Sequence, residues 1–570
     1  MDYAWQRYNQ WLTSASIDLD TKAELEAIKN NEEEINERFG RQLVFGTGGL
    51  RGIVGAGLNR MNIYTVGLAT QAYAIFLRKH GLGDRGVVLS CDSRNSSKAF
   101  LQEAAAVLIG NDIPVFVYQR ISPTPLLSFG VRHCQADGGI MITASHNPAE
   151  YNGYKAYCSK GIQLLPEPSN EISLIMEGLV LEDIKRVEQP TEHPLWNWLD
   201  EEVYQAYYRQ VEKLAPARDD QDLTVSVLYT PLHGTGGGFV PQVLKNAGFV
   251  NVDYVQEQLE PDGNFPTVTV PNPEEISAFD IALQYTKQKQ YDLVIATDPD
   301  ADRVGVVVWT GEQYVLLSGN QVGVLLADYL LQTLPQERLT NGFMIKTVVS
   351  TEMVVPIAKD YGVEVFDTLT GFKYIGAQIE ALQQQGKNFI FGFEESCGYL
   401  TGDFVRDKDA VLASLLIVQM AAYYKAQGKT LLQRLEELMI KYGFYVERLH
   451  SYSFASASDV ERVANFIEQL RQKRLTDIGG FPIKTFKDYL NGLAFDLETG
   501  IELALEFPKE NVLQWETKVG DRITLRPSGT EPKMKLYLAI VESSYDSAIA
   551  KLELLEAASN AMIDQGLSLK

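Results

Sequence analysis

Three aspartates at alternate positions, Asp298, Asp300 and Asp302, follow an apolar run at 292–297. Carboxylates this close repel, and each raises the proton affinity of its neighbours. A hard divalent cation removes the conflict by taking oxygen ligands. Carboxylates without a thiolate point to Mg2+ rather than zinc. The spacing is not that of an EF-hand, whose loop of about twelve residues ends in Glu. A solvated acidic turn is the plainer alternative. A second apolar run, 304–309, resumes after Arg303, so the trio is expected at a tight hairpin tip.

A second chemical stretch is Thr143-Ala144-Ser145-His146-Asn147-Pro148, placed after a short apolar strand at 140–142. Pro148 biases Asn147 away from the helical region, so the loop is expected to be open and the Ser145 hydroxyl solvent-reachable. Asn152-Gly153-Tyr154-Lys155 is read as a flexible turn that brings a cation close by. Taken alone, the serine is equally a strand-end turn residue with a local hydrogen bond. A third stretch, Arg526-Pro527-Ser528-Gly529-Thr530-Glu531-Pro532-Lys533, combines a bidentate guanidinium, two hydroxyls and a glycine N–H. Such a set can cradle a phosphate; an ordinary proline-bounded turn is the alternative. Glu394 and Ser396 form a fourth pattern, able to bind vicinal sugar hydroxyls or simply each other. The glycine-rich run 45–52 lacks a third glycine at position 51, where Arg51 stands. It is either a tight turn or a loop whose N–H groups and Arg51 face an anion.

A serine, a metal site, a phosphate cradle and a polyol-binding pair together imply phosphoryl transfer between Ser145 and a sugar phosphate. Such transfer needs alignment and charge neutralisation above all. Mg2+ with Arg303 or Arg51 could offset charge on the moving group. Lys155 is the nearest candidate base in sequence. Side chains of neighbours on an extended loop point apart, so His146 is expected to orient or contact phosphate rather than touch Ser145.

These loops need elements to hold them. Helical character over 12–38, with Thr21 as a cap, precedes the glycine run. Strands then alternate with helices: strand 86–90, helix 97–109, strand 115–118, and so on through strands 292–297, 343–347 and 388–391. That rhythm belongs to mixed or parallel sheets covered by helices, and ligand groups gather at the carboxyl ends of such strands. Trp196 and Trp198 look like packing residues on helical segments. From about 443 the texture changes to alternating strands with two helices, an α+β domain with an antiparallel sheet. The expected fold is α/β: three similar mixed α/β domains plus a C-terminal α+β domain around a central cleft. The expected boundaries are 1–205 with the phosphoserine, 206–318 with the metal, 319–441 for sugar recognition and 442–570 for phosphate binding.

At 570 residues the chain exceeds what one core supports. Its formal net charge of −23 argues against nucleic acid or an anionic membrane as main partner. The four cysteines, Cys91, Cys134, Cys158 and Cys397, form no CxxC pair, which fits a reducing compartment. Without a signal-like N-terminus or a long apolar run, a cytoplasmic protein is expected.

The motifs around Ser145, Asp298, Glu394 and Arg526, in this order, closely resemble the α-D-phosphohexomutase superfamily, in its phosphoglucomutase and phosphopentomutase branch. The resemblance spans about residues 40 to 540. It implies a stored phosphoserine at Ser145, donation to a sugar monophosphate, a bisphosphate intermediate that turns over, and return of the other phosphoryl group. It implies metal ligation by Asp298, Asp300 and Asp302, completed by the Ser145 phosphoryl oxygen, with Arg303 alongside. Lys155 and Arg51 fall where the family keeps proton-transfer and positive groups. Glu394 and Ser396 match sugar readers, and Thr370, Gly371 and Lys373 match the loop at the reacting end. Arg526, Ser528, Gly529 and Thr530 match the distal phosphate site, with Lys535 counted beside them, and Lys408 lies in a matching basic stretch. Cys397-Gly398 departs from the aromatic-Gly of many glucose mutases. Glucose 1-phosphate is the preferred substrate, with Mg2+ as cofactor and glucose 1,6-bisphosphate as intermediate; the alternatives are a pentose 1-phosphate, a mannose- or glucosamine-type substrate, and a Mg2+-dependent phosphatase. The expected assembly is a monomer or weak homodimer.

Overall fold

The computed structural model describes residues 2–46, 49–216, 218–454, 457–527 and 533–567. Ser528, Gly529 and Thr530, assigned above to a phosphate cradle, lie outside the described residues. The chain forms two compact units: 1–326, 372–385 and 389–430 in the first, and 327–371, 386–388 and 431–570 in the second.

The first unit opens with three helices, Asp2–Thr13, Leu19–Ala27 and Glu32–Phe39, rather than one helical run. Asp18, not Thr21, caps the second: its carboxylate accepts from the Thr21 N–H at 2.8 Å, the usual N-cap bond. Tyr8, Trp11, Phe39 and Tyr64 close a small aromatic core there.

The first sheet has six strands, in the order Gly49–Ile53, Tyr151–Cys158, Gly138–Ile142, Val87–Cys91, Val115–Tyr118 and Trp196–Leu199. The last four run parallel, and the first two are antiparallel additions. Val87, Leu89, Ile140 and Ile142 are fully buried between covering helices, as expected of a sheet coated on both faces. Three segments differ from the sequence-based reading. The glycine run is not simply a turn: Gly49–Ile53 is an edge strand, with Arg51 opposite Gly153. The residues 152–155 are likewise central strand, not flexible turn. Their glycines serve close approach of backbones: a Cβ at Gly153 would lie 2.4 Å from the Thr143 carbonyl oxygen, and one at Gly49 2.0 Å from that of Tyr154. Trp196–Leu199 is also strand rather than helix, pairing parallel with Val115–Tyr118.

The second sheet orders Tyr314–Leu317, Val304–Trp309, Leu293–Thr297, Val227–Thr230 and Val252–Tyr254. Leu293–Thr297 runs parallel to Val227–Thr230 and antiparallel to Val304–Trp309. The trio of aspartates therefore does occupy a hairpin tip. A third α/β region supplies the antiparallel strands Asn388–Glu394 and Gly398–Leu400, and in the second unit the parallel pair Gly342–Thr347 and Glu364–Thr368.

The C-terminal sheet is antiparallel throughout, from Phe444–Ser453 through Lys533–Glu542, Arg522–Pro527, Leu513–Thr517, Phe481–Asp488 and Leu493–Asp496 to Glu502–Ala504. The helices Ala457–Lys473 and Tyr545–Leu567 bury Phe466, Ile467, Leu552 and Leu555 against Trp515, Ile523 and Leu525. Alternation along the strands leaves Gln514, Arg522, Thr524 and Arg526 on the opposite face. Among the described residues no helix is long and apolar enough to cross a membrane.

Candidate active site

The hairpin tip is held by its own backbone. Ala301 adopts φ 48°, and its N–H reaches the Asp298 carbonyl at 2.9 Å. The loop after Val227–Thr230 packs directly beneath: Thr235 N–H donates to the Pro299 carbonyl at 2.8 Å, and a Cβ at Gly234 would lie 2.4 Å from Pro299 Cα. Asp298, Asp300 and Asp302 are thereby pinned in the interior, with one oxygen of each lying within 4.8 Å of the others.

The three carboxylates are unevenly satisfied. Asp298 Oδ1 accepts the backbone N–H groups of Asp302 at 3.0 Å and Arg303 at 2.9 Å. Its Oδ2 accepts the Ser145 hydroxyl at 2.8 Å. Asp300 Oδ2 accepts Thr124 Oγ1 at 2.7 Å and Lys155 Nζ at 2.8 Å. Asp302 Oδ2 lies 3.3 Å from Lys155 Nζ and 3.2 Å from Lys408 Nζ. The outer oxygens, Asp300 Oδ1 and Asp302 Oδ1, are buried without any hydrogen bond. Such orphans are costly in a folded interior, and a bound cation would satisfy them. Oxygen-only donors of this kind suit Mg2+.

The electrostatics divide the trio. Burial, with Asp300 and Asp302 nearby, pushes the Asp298 carboxyl well above its ordinary value. Burial acts upward on Asp302 too, yet Lys408, Lys155 and Arg303 hold it far below the usual range. For Lys155 burial favours loss of the proton, but Asp300 and Asp302 outweigh it and keep the ammonium charged. Lys408 is held cationic in the same way, by Asp302, Asp407 and Glu394. Arg303, desolvated but facing Glu274, Asp302 and Asp298, is likewise held firmly charged.

Ser145 is 3% exposed and sits at φ 52°, in the left-handed region, within a turn closed by Asn147 N–H to the Ala144 carbonyl at 3.1 Å. The expectation of an open, solvent-reachable serine on an extended loop is thus corrected. The left-handed turn also reverses the expectation for His146: instead of diverging, its Nδ1 lies 3.2 Å from Ser145 Oγ. A non-glycine residue there is strained unless its surroundings over-determine it, and here they do. Arg94, 3% exposed, donates to the carbonyls of Ser145 at 2.8 Å, Pro148 at 2.7 Å and Tyr151 at 2.8 Å. Asp92 braces Arg94 at 3.2 Å.

The structure therefore brings Ser145, His146, Lys155, Lys408, Arg303 and the three aspartates together within the first unit. Arg51 joins them through Nη1 to Asn147 Oδ1 at 3.1 Å. Glu394, 4% exposed at the end of its strand, acts electrostatically on both Arg303 and Lys408. Ser396 follows in the turn before Gly398, whose missing side chain makes room for the Lys408 stem, since a Cβ would lie 2.2 Å from Lys408 Cδ. Lys373 is buried in the first turn of the helix Phe372–Gln384. Thr370 and Gly371, the latter at φ 121°, belong to the second unit. So do Arg526 and Lys535, which are direct register partners across two antiparallel strands. Like charges opposite each other destabilise a ladder, and the Glu510 carboxylate lies 4.0 Å from Arg526 Nε.

Sequence reasoning missed Arg94, Asp92, Thr124 and Glu274. The strand-ending run Cys91-Asp92-Ser93-Arg94 carried a signal, because charged residues at a parallel strand's carboxyl end face ligand loops. Thr124 and Glu274 are singled out only by tertiary contact.

The comparisons with known proteins agree with this geometry. Alpha/beta/alpha domains I, II and III of phosphoglucomutase/phosphomannomutase match residues 42–180, 205–311 and 318–442. A phosphoglucomutase from Staphylococcus saprophyticus is 37% identical over 92% of this chain and 95% of its own length. One from Staphylococcus epidermidis is 36% identical over 95% and 98%. Among solved structures, parafusin (phosphoglucomutase) from Paramecium, in its open form, aligns with TM-score 0.66 at 18% identity over 92% of this chain and 96% of its own. A phosphoglucomutase/phosphomannomutase family protein from Burkholderia thailandensis aligns at 0.65 and 18% identity, over 92% and 97%. The chain belongs to the phosphoglucomutase/phosphomannomutase family of the α-D-phosphohexomutase superfamily. It is an intramolecular phosphotransferase with three α/β/α domains and a C-terminal antiparallel domain.

Proposed function

We propose that this enzyme interconverts α-D-glucose 1-phosphate and glucose 6-phosphate through a phosphorylated Ser145 and a glucose 1,6-bisphosphate intermediate. The observation that carries the reading is Ser145 Oγ, 2.8 Å from Asp298 Oδ2 at the edge of a buried carboxylate trio with two unsatisfied oxygens. The sugar is read from the near full-length similarity to staphylococcal proteins named phosphoglucomutase.

In the forward half-reaction the bond between phosphorus and Ser145 Oγ breaks as a bond to the sugar O6 forms, and the O6 proton leaves. The bisphosphate then turns. Ser145 Oγ attacks the phosphorus at C1, the bond to O1 breaks, and O1 takes up a proton. Asp298, Asp300, Asp302 and the Ser145 oxygen would hold Mg2+, which when bound supplies positive charge against the phosphoryl group in flight. Lys155, Lys408 and Arg303 add fixed positive charge at the same place, where preorganised charge is most effective. Lys155, held protonated by two aspartates, serves as donor and counter-charge in this arrangement. His146, with Nδ1 3.2 Å from Ser145 Oγ, orients the hydroxyl, whose proton is donated to Asp298 Oδ2. Arg51 steadies the turn through Asn147. Glu394 and Ser396 read sugar hydroxyls, with Thr370, Gly371 and Lys373 at the reacting end. Arg526 and Lys535, with Ser528, Gly529 and Thr530, take the distal phosphate.

This reading keeps the four-domain division at about 205, 318 and 441 and takes the single chain, as monomer or weak homodimer, as the working unit. It places the enzyme in the cytoplasm, where its four free thiols stay reduced. A panel of glucose, mannose, glucosamine and ribose 1-phosphates at fixed Mg2+ tests it. Fastest turnover of glucose 1-phosphate without phosphate release is expected. Preference for a pentose would replace the substrate, and stoichiometric phosphate release would replace the mutase by a phosphatase.

A further inference from the structure

The second unit contains a charge network that the reaction as described does not use. Lys346, only 1% exposed, is the penultimate residue of the strand Gly342–Thr347, opposite Asp367 of the parallel strand Glu364–Thr368. Its ammonium contacts Asp367 Oδ1 at 2.6 Å and also pairs with Glu352. Glu352 in turn pairs with Arg522, the first residue of the strand Arg522–Pro527 in the antiparallel sheet. Two cations and two carboxylates thus form a neutral cluster joining the parallel pair to the C-terminal sheet. Gln514 makes a second, uncharged link: its Nε2 donates to the Val348 carbonyl at 3.1 Å and to Thr524 Oγ1 at 2.9 Å. Val348 itself is tied to the Thr368 carbonyl through its N–H at 2.8 Å.

Where these links fall matters. On one side they clamp Asp367 and Thr368, which only Leu369 separates from Thr370 and Gly371. On the other they clamp Arg522 and Thr524, which share a strand face with Arg526 roughly 13 Å further along. One end of the cluster therefore lies at the strand Glu364–Thr368, next to a loop taken as a sugar contact, and the other in the strand Arg522–Pro527, which carries a cation taken as a phosphate contact.

We propose that Lys346, Asp367, Glu352, Arg522 and Gln514 form a positioning joint that fixes the spacing between the Thr368–Gly371 loop and Arg526, so that a sugar phosphorylated at both ends is retained while it turns. The proposal rests on the mutase reading. None of the five residues is assigned a contact with the reacting atoms. They act through the strands they lock. A charged joint suits the task because each ion is directional and intolerant of displacement: loss of one partner leaves a poorly solvated charge, and the strands must shift to relieve it. Arg522 reaches Glu352 through Nη1, a planar donor that Lys reproduces only in part.

The test compares the full-length wild type with Glu352→Gln, Arg522→Met, Arg522→Lys and Gln514→Ala. Calorimetry measures binding of glucose 1,6-bisphosphate and of inorganic phosphate, and a coupled assay counts bisphosphate escaping per turnover of glucose 1-phosphate. The wild type is measured first, and failure to turn over glucose 1-phosphate there overturns the functional reading rather than the joint. Glu352→Gln and Arg522→Met are expected to weaken bisphosphate binding about tenfold or more, because each removes the Glu352–Arg522 pair and leaves the cluster with a net charge. Inorganic phosphate, which needs only one contact point, should bind within about twofold of wild type. Bisphosphate escape should rise, and Arg522→Lys should recover part of the loss. Gln514→Ala, which removes only a neutral link, should show the same selectivity at about threefold and covers the case in which a charge variant fails to fold. Equal affinity of wild type and folded variants for the bisphosphate overturns the proposal. So does a parallel loss for both ligands that tracks melting temperature and is not rescued by Arg522→Lys.

Discussion

The serine and aspartate site and the Arg526–Lys535 pair are built on opposite principles. In the first, Ser145 and the three aspartates are buried at the carboxyl end of a parallel strand or in a hairpin, and most of their polar atoms have assigned partners. In the second, two cations face each other across antiparallel strands, on the face away from the helices, with Arg526 only partly buried. The first arrangement suits bond making and breaking, where charges must not rearrange. The second suits capture of a dianion that must later be released and exchanged. Damage to the first should therefore appear in kcat, and damage to the second in KM.

The largest expected effect is that of Ser145→Ala. Removing the nucleophile should lower kcat by about 10^4-fold or more, with a melting curve close to wild type because the hydroxyl contributes little packing. Near-normal turnover in steady-state assays would remove the phosphoserine from the account. Next comes Asp300→Ala, or chelation of divalent ions, expected to cost about 10^3-fold in kcat. Chelator-treated enzyme should recover on adding Mg2+; full activity without it would show that Lys155 and Lys408 alone neutralise the site.

Arg94→Met sharpens the comparison from a different side. It touches no reacting atom, yet four carbonyls of the serine loop, those of Ser145, Asn147, Pro148 and Tyr151, lose a charged donor. A stability loss of about 3 kcal/mol is expected, since hydrogen bonds to a buried charged group are among the stronger ones. The kcat should fall with KM little changed. By contrast, Arg526→Ala should raise KM for the sugar phosphate by about tenfold to a hundredfold while kcat falls less, the signature of lost binding to a charged group. The reverse pattern in either variant would dissolve the distinction between the two regions.

The smallest effect concerns pH. Asp409 caps the helix Ala410–Ala426 and accepts the Tyr207 hydroxyl at 2.9 Å, and burial pushes its carboxyl up to about 6. A carboxyl raised on folding binds its proton more tightly in the native state than in the unfolded one. Its effect is to lower stability as pH rises from about 4 to about 6, by no more than about 3 kcal/mol. Asp409→Asn should flatten that part of the stability–pH curve relative to wild type in chemical denaturation, and an unchanged slope would assign the effect elsewhere.

Much of this was legible in the residues. Alternating strands and helices mark the α/β regions because buried parallel strands are continuous apolar runs. The trio Asp298, Asp300 and Asp302 stands out because its cost demands a cation. What the sequence concealed has physical causes. Gly49 and Gly153 look like turn residues, but close strand approach selects the same residue as a positive φ does. Ser145 looks extended because nothing in Ala144-Ser145-His146 announces a left-handed serine. That conformation is imposed by Arg94 from about 50 residues away, through carbonyls that carry no side-chain signature. Trp196 and Trp198 lack helical or strand periodicity over so short a run, so only pairing with Val115–Tyr118 settles their state.

The central claim is that one phosphoryl group passes between Ser145 and the sugar. Intact-mass spectrometry with peptide mapping, on enzyme incubated with glucose 1,6-bisphosphate and then challenged with glucose 1-phosphate, tests it most directly. The account predicts a single phosphoryl group on Ser145 that exchanges with the sugar pool at least as fast as turnover and is absent from Ser145→Ala. Equilibration of glucose 1-phosphate and glucose 6-phosphate by enzyme that never carries phosphate on Ser145 would contradict it.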